Sequence, residues 1–250
     1  MSKRVPPWIS SDLKAKLSII DVVQFPTTEQ FAKLVESRQS VDARLASDED
    51  VEEQDVVLQT MAITPWKILD SRYVVRDPWM TLRADRCETG NGVLVDPYYV
   101  QEPPDWVQIV AFDRHDRVLI TRQYRHGSAL ICTEFPCGAV EPGEEPAQAA
   151  RRELLEETGC TAQELWPLSS LSPNPARYSN KIYAFVATDT RHVQAQTLDK
   201  TEDIEFGFLT LSEVFSLIDQ GGFPQALHLA NLFLALRMRG LISLSAAPSV

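Results

Sequence analysis

Apolar and polar residues alternate over short runs along most of the chain from Pro65 onwards. Alternation with a period of two, bounded by turn-forming residues, predicts β-strands. The runs that predict strands are WKILDSRYVVRD, WMTLRADRC, VLVDPYYV, WVQIVAFD, RVLITRQYR, a run near Leu168, KIYAFVAT and IEFGFLTL. Two longer segments near the C-terminus, LSEVFSLID and PQALHLANLFLALRMR, predict helices. Strands that flank one central helix and are closed by C-terminal helices predict an α/β fold, an α/β/α sandwich on a mixed β-sheet.

The first 59 residues differ from the rest of the chain in pattern and charge. The segment TTEQFAKLVESRQSVDARL predicts a helix, and SDEDVEEQD then places six acids within nine residues, which is typical of a solvated linker. We therefore predict an N-terminal extension over residues 1–59, a main domain over 60–242 and a tail over 243–250. The extension is either a loosely attached segment or a lid or partner surface, and no chemistry in its sequence favours the second alternative.

A short helix is predicted from Pro146 up to Gly159, which would end it, because proline is favoured at a first helical position and glycine just past a helix end. Glu153, Glu156 and Glu157 share one face of this helix through their i, i+3 and i+4 spacing. Their mutual repulsion requires positive charge, which Arg152 or a hard divalent cation can supply. A solvated acidic helix with incidental ion pairs is the alternative.

The glycines and charged residues of this region match the pattern G-x5-E-x7-R-E-U-x-E-E-x-G-U, in which U is apolar. The residues at the fixed positions are Gly138, Glu144, Arg152, Glu153, Leu154, Glu156, Glu157, Gly159 and Cys160. A chance match at a given start has a probability on the order of 10⁻⁹ from ordinary residue frequencies. This pattern is the Nudix box, and the chain resembles the Nudix hydrolases.

The resemblance covers roughly residues 66–239 and is to the ADP-ribose pyrophosphatase branch of that family. The segments that carry it are VLITRQYRHG and CTEFPCGAVEPGE before the helix, and SPNPARYSNKIYAFVA and TEDIEFGFLTLSEV after it. Pro175 lies fifteen residues past Cys160, about where this branch has its marker proline. Asn180 is a departure, because many members of the branch have an acid there.

The resemblance implies a Nudix fold in which Glu153 and Glu157 are the principal metal ligands. Glu156 and the backbone carbonyl of Cys137 would complete the metal site, and Arg152 would hold the acids in position. The expected metal is Mg²⁺, with Mn²⁺ as the alternative, because hard divalent cations prefer oxygen ligands.

The resemblance also implies a brace for the loop before the helix, which we assign to Glu144, and a catalytic base in the loop before IEFGF. Glu202 is our candidate for the base, and Asp203 and Glu205 are its competitors. An ordinary loop acid is the alternative interpretation of Glu202.

Candidate substrate-binding residues follow from the charge and shape of a nucleoside diphosphate. The resemblance places Arg125 on the phosphates, and Arg122 lies on the same predicted strand. Trp66 and Trp79 are candidates for stacking on a base, and Pro175 marks the loop that the branch uses for its substrate. Surface solubility for the arginines and core packing for the tryptophans are the alternatives.

Charge and composition indicate the compartment of the protein and the kinds of partner that it binds. A formal net charge of -11 argues against nucleic-acid binding, which requires a basic face. Four cysteines without C-x-x-C spacing indicate packing residues in a reducing compartment. Because no stretch has the length and hydropathy of a signal peptide or membrane span, we expect a cytoplasmic protein without membrane contact.

The function that the sequence predicts is Mg²⁺-dependent hydrolysis of the diphosphate linkage of a nucleoside diphosphate sugar. ADP-ribose, cleaved to AMP and ribose 5-phosphate, is the expected substrate, and ADP-glucose and GDP-mannose are the alternatives within this class. A non-catalytic Nudix-fold module that senses a nucleotide is the alternative outside it. The resemblance further implies a homodimer.

Overall fold

The computed structural model describes residues 63–242, so the predicted extension 1–59 and the tail 243–250 lie outside the described residues. Numbered in chain order, the elements are β1 Lys67–Arg76, β2 Thr81–Glu88, β3 Leu94–Gln101, β4 Trp106–Ala111, β5 Val118–Arg125, β6 Leu130–Glu134, β7 Cys137–Ala139, α1 Pro146–Thr158, β8 Cys160–Thr161, β9 Glu164–Leu171, β10 Ile182–Thr188, β11 Arg191–His192, β12 Ile204–Leu209, α2 Leu211–Asp219 and α3 Ala226–Met238. In this part of the chain, no helix is long and apolar enough to cross a membrane.

The strands form several sheets, and the central one is mixed, as predicted. A central sheet has the order β7-β4-β10-β9, and its β4–β10 pair is parallel while the other pairs are antiparallel. A second sheet has the order β12-β5-β6, and β8 pairs with β11. The N-terminal strands form a three-stranded antiparallel sheet, β1-β2-β3. Alternation predicts strands but not their partners, which depend on contacts distant in sequence.

Strand β4 separates two apolar layers, as the period of two requires. Val107 and Ile109 pack with Leu154 of α1 in one buried cluster. Val110, on the other face of the strand, packs with Leu232 of α3 in a second cluster. The predicted α/β/α sandwich is therefore confirmed, with α1 on one side of the central sheet and α2 and α3 on the other.

Helix α1 has the limits that its sequence predicts. Pro146 is its first residue, and Gly159 ends it in the left-handed conformation with φ 64°, donating its N–H to the Leu155 carbonyl. The segment after β11 then covers the end of the helix: Thr197 N–H donates to the Glu156 carbonyl, and Gln196 Nε2 donates to the Glu157 carbonyl. These contacts satisfy carbonyls that a helix terminus leaves without partners.

Candidate active site

Arg152 joins the acids of α1 to the loop before the helix. Its Nη1 donates to Glu153 at 2.8 Å and to Glu156 at 3.0 Å. Its Nε and Nη2 donate to the two carboxylate oxygens of Glu144 at 3.0 and 2.9 Å, and Nη2 also donates to the Ala139 carbonyl at 3.0 Å. One guanidinium thus fixes three carboxylates and the end of β7, because its planar donors suit bidentate contacts.

Glu157 and Glu153 extend from α1 towards β7 and are buried, with exposed fractions of 3% and 9%. Glu157 Oε2 accepts a hydrogen bond from the Cys137 N–H at 3.0 Å. The Glu153 carboxylate lies so close to Gly138 that a Cβ on this residue would overlap it. Glycine at position 138 therefore allows α1 and β7 to approach each other this closely.

Burial disfavours the ionised forms of Glu153 and Glu157. It raises the pKa of Glu153, which the hydrogen bond from Arg152 partly offsets. Burial also raises the pKa of Glu157 well above its usual range, and the charges of Glu153 and Glu202 add to this rise. It is costly to ionise both carboxylates at once. A divalent cation between them would offset this cost, so the pair is suited to binding one.

The backbone of β7 offers an oxygen to the same site. Ile109 N–H donates to the Pro136 carbonyl, so the next pair along the ladder, Gln108 with Cys137, is not hydrogen-bonded. Residues of such a pair direct N–H and C=O away from the partner strand, and the Cys137 N–H indeed meets Glu157. Its carbonyl oxygen points to the same side, so the donor set is entirely oxygen and fits a hard divalent cation.

A second group of potential ligands lies on the other side of β7. Side-chain atoms of Glu134, Cys137 and His228 lie within 4.8 Å of one another. Glu134 already accepts hydrogen bonds from Arg125, at 2.7 Å to its Nη2, and His228 Nδ1 accepts one from the Phe135 N–H at 3.0 Å. Because hydrogen bonds occupy two of its three groups, this cluster is a poorer metal site than the glutamates of α1.

The candidates for the catalytic base differ in their surroundings. Glu202 is exposed and forms a turn with Asp199, and its charge reaches Glu153 and Glu157. Glu205 is instead paired with Arg122 at 3.1 Å. Glu202 is therefore better placed than Glu205 for a role at the acids.

Arg125 and Arg122 have different environments although they share β5. Arg125 lies over the buried Glu134, and its Nη2 is 3.7 Å from Cys137 Sγ, beside the candidate metal site. The side chain of Arg122 is half exposed and paired with the exposed Glu205. Of these two arginines, Arg125 is the one whose charge reaches Glu157 of α1.

The aromatic candidates lie on the N-terminal sheet. Trp66 packs edge-on against Tyr98 with ring centroids 5.6 Å apart, and the Tyr98 hydroxyl donates to the Ala176 carbonyl, next to Pro175. Trp79 is 94% exposed and lies in the turn between β1 and β2. Trp66 and the Pro175 loop are thus brought together through Tyr98, whereas Trp79 is not.

The structure also places buried polar residues that the sequence analysis did not select. Gln108, His228 and Asn231 are buried and form a chain of hydrogen bonds between β4 and α3. A signal was present, since Gln108 interrupts an apolar strand and His228 and Asn231 lie three residues apart in an apolar helix. Their partners, however, are more than a hundred residues away in sequence.

The fold and the carboxylate helix define a hydrolase that acts on phosphate compounds with a divalent metal. The NUDIX domain model matches residues 103–231, and the nucleoside diphosphate sugar hydrolase N-terminal domain model matches residues 66–101. The chain belongs to the Nudix family. The predicted family is therefore confirmed, and the N-terminal sheet β1-β2-β3 coincides with the second match.

Similar proteins with known names show which Nudix hydrolases this chain resembles. The ADP-ribose pyrophosphatase of Bacillus subtilis is 29% identical over 46% of this chain and 63% of its own length, which is less than two thirds. The ADP compounds hydrolase NudE of Escherichia coli is 30% identical over 67% of this chain and 89% of its own length. A crystal structure of an ADP compounds hydrolase superposes with a TM-score of 0.64 at 28% identity, covering 72% of this chain and 99% of that one.

Proposed function

We propose that this protein hydrolyses the diphosphate linkage of a nucleoside diphosphate sugar with Mg²⁺, and that its substrate is ADP-ribose, cleaved to AMP and ribose 5-phosphate. The observation that carries the proposal is the buried pair Glu153 and Glu157 against β7, where Glu157 accepts from the Cys137 N–H, with every acid of the motif present. The names of the relatives support a substrate that contains ADP. ADP-glucose and GDP-mannose remain the alternatives within the same reaction class.

Glu153, Glu157, Glu156 and the Cys137 carbonyl would hold the metal. A bound Mg²⁺, or Mn²⁺ in its place, supplies positive charge against the diphosphate oxygens. Arg152 orients Glu153 and Glu156 through its hydrogen bonds, so the acids are positioned before the metal arrives. Preorganisation of this kind lowers the cost of assembling the transition state.

The chain's own side chains perform the remaining steps. Arg125 binds a phosphate oxygen of the substrate at the edge of the acids. Glu202 takes the proton of the water that attacks one phosphorus, and the bond from that phosphorus to the bridging oxygen breaks. Trp66, with Tyr98, stacks on the base beside the Pro175 loop.

The N-terminal sheet supports a homodimer. Strand β1 exposes Ile68 by 59%, Leu69 by 47% and Val74 by 45%, and Leu94 of β3 is 54% exposed. An exposed apolar surface of this kind is typical of an interface between subunits. A second copy of the chain is the partner that we propose for this sheet.

The composition of the chain supports a compartment and a class of partner. All four cysteines are free and buried, which is consistent with the reducing cytoplasm as the site of action. The net charge of -11 does not favour nucleic acid as a partner. The sensing-module alternative is disfavoured because no acid of the motif is missing.

The test is a phosphate-release assay with an added phosphatase, on nucleotide sugars, dinucleotides and nucleoside triphosphates with Mg²⁺. We expect ADP-ribose to give the highest kcat/KM and the Glu157→Gln variant to be inactive. A different leading compound would replace the substrate but not the reaction, and absence of turnover on all compounds would favour the sensing module.

A further inference from the structure

A cavity of about 520 Å³ lies on the α3 side of the central sheet, next to the candidate metal site. It is bordered by the end of β3, the loop that contains Pro173 and the start of α3. Cys137 lines it with its side chain, while the backbone of the same residue meets Glu157 of α1. A molecule held by the acids can therefore extend around β7 into this cavity.

His228 presents a fixed hydrogen-bond donor at the wall of the cavity. Its Nδ1 accepts the Phe135 N–H at 3.0 Å, and a backbone amide can only donate, so Nδ1 carries no proton. The neutral ring must then carry its proton on Nε2. Among the described residues, Nε2 has no hydrogen-bond partner, and His228 is only 1% exposed.

A buried chain of side chains supports this orientation of His228. The Gln108 amide contacts Nδ1, and Gln108 Oε1 accepts a hydrogen bond from Asn231 Nδ2. Asn231 Oδ1 in turn accepts from Ser169 Oγ at 2.8 Å. These hydrogen bonds hold the His228 ring with Nδ1 towards the protein, so that Nε2–H is available to a ligand.

Asn180 presents the complementary acceptor. Its Nδ2 donates to the Pro104 carbonyl at 2.8 Å, which fixes the amide so that Oδ1 is the free group. Asn180 is 7% exposed and lines the same cavity, and its Oδ1 is buried with no hydrogen-bond partner in the part of the chain described. A buried acceptor without a partner is destabilising, so a ligand that donates a hydrogen bond here is stabilised.

The charges around the cavity indicate what kind of ligand group enters it. Arg125 stands at its border, where it pairs with the buried Glu134 at 2.7 Å and is the residue that we propose for the diphosphate. Asn180 Oδ1 is a neutral acceptor and His228 Nε2–H is a neutral donor among the residues that line it. Hydroxyl groups both donate and accept, so a sugar that carries several of them matches this wall better than a phosphate or an ammonium group does.

We propose that this cavity binds the sugar of the substrate that is not part of the nucleoside, with Asn180 Oδ1 accepting from one hydroxyl and His228 Nε2 donating to another. The inference rests on the proposed function and adds the residues that select a hydroxylated sugar. A site built to bind hydroxyls rejects an analogue without them, because its buried polar groups then lose their partners.

The test compares ADP-ribose with the n-pentyl ester of ADP, which lacks the sugar hydroxyls. We expect the wild-type protein to prefer ADP-ribose by at least about 100-fold in kcat/KM. Asn180→Leu should reduce this preference to within about tenfold by lowering kcat/KM for ADP-ribose alone. Ser128→Ala is the matched control in the same cavity, since its hydroxyl already donates to the Arg125 carbonyl at 3.2 Å, and it should keep the preference.

Contrary results are distinguishable from a failure of the proposed function. Equal kcat/KM values for both compounds in the wild-type protein would overturn the sugar subsite and leave the hydrolase intact. A loss of discrimination between bases or against the 2′-deoxynucleoside in Asn180→Leu would place the nucleoside there instead. If no compound is hydrolysed, calorimetry of ADP-ribose and of the n-pentyl ester binding to Glu157→Gln measures the preference for the sugar without turnover. If Asn180→Leu does not fold, the ratio of kcat/KM for the two compounds in the wild-type protein decides.

Discussion

Glu157 is buried and is also close to other negatively charged residues. It is 3% exposed and shares its surroundings with Glu153 and Glu202. Glu157→Gln keeps the shape and the hydrogen bond from the Cys137 N–H, so we expect the fold to remain and circular dichroism to be unchanged. Turnover should fall by more than about 100-fold, since even residues that only orient metal ligands cost 10–100-fold. A variant with near-normal kcat in steady-state assays would remove Glu157 from the metal ligands.

The raised pKa of Glu157 also makes metal binding dependent on pH. Burial is the largest cause of the rise, so the metal-free folded protein holds a proton that the unfolded chain has released. Its stability therefore falls as the pH increases from the ordinary carboxyl pKa through the raised pKa. A cation binds only the ionised form and competes with this proton.

We accordingly expect millimolar Mg²⁺ to raise Tm little near about pH 5 and progressively more towards about pH 8. Differential scanning fluorimetry with and without Mg²⁺ measures this difference. The matched control is Glu157→Gln, in which most of the pH dependence should vanish. An Mg²⁺ effect of equal size at every pH would contradict the assignment.

Arg125 has a structural and a proposed binding role that a paired substitution can separate. Its side chain is 35% exposed, and its partner Glu134 is 5% exposed, so Arg125→Ala leaves a buried carboxylate unpaired. We expect a loss of about 3 kcal/mol in the free energy of unfolding and a KM that rises more than kcat falls. Urea denaturation and steady-state kinetics measure the two effects.

The double variant Arg125→Ala/Glu134→Gln should regain most of the stability but not the KM. Arg122→Ala is the comparison on the same strand, where an exposed ion pair contributes about 0–1 kcal/mol. An unchanged KM in both Arg125 variants would assign this arginine to stability alone.

The packing of helix α1 on strand β7 is the feature that matters at the scale of elements. Gly138 lets the Glu153 carboxylate approach the strand, and a Cβ there would overlap it. Gly138→Ala should therefore displace Glu153 and lower kcat/KM by roughly 100-fold, because a shift of about 1 Å in a catalytic group has this effect. Gly127→Ala is the control, since a Cβ at Gly127 meets no atom within 4 Å. Equal activity of the two variants would show that the approach of α1 to β7 is not needed.

Assembly and the N-terminal extension belong to the scale of the whole molecule. Size-exclusion chromatography with light scattering should show a dimer, which Ile68→Glu converts to a monomer because a charge enters the apolar face of β1. Arg72→Gln, exposed on the same strand, should leave the dimer intact. A wild-type monomer would contradict the proposed interface.

Deletion of residues 1–59 should leave kcat/KM within about twofold, because no residue proposed for the site lies there. Steady-state assays of the shortened and full chains measure this ratio. A loss of turnover or solubility would show that the extension is part of the working unit.

The three helices, the longer strands and the acids of α1 were determined by the sequence alone, because they depend on local spacing, whereas β6, β7, β8 and β11 were not among the predicted runs. Helix α1 begins at Pro146 and ends before Gly159 as predicted, and its face of Glu153, Glu156 and Glu157 follows from 3.6 residues per turn. The Nudix family followed from the same spacing.

Only the tertiary structure decided which distant residues meet. Trp66 reaches the Pro175 loop through Tyr98, and His228 is oriented by the backbone of Phe135. None of these contacts has a local signature, since each depends on strand pairing and helix packing between segments far apart in the chain. The sequence thus determined the chemistry that the acids can perform, and the tertiary structure decided the surroundings that select what reaches them.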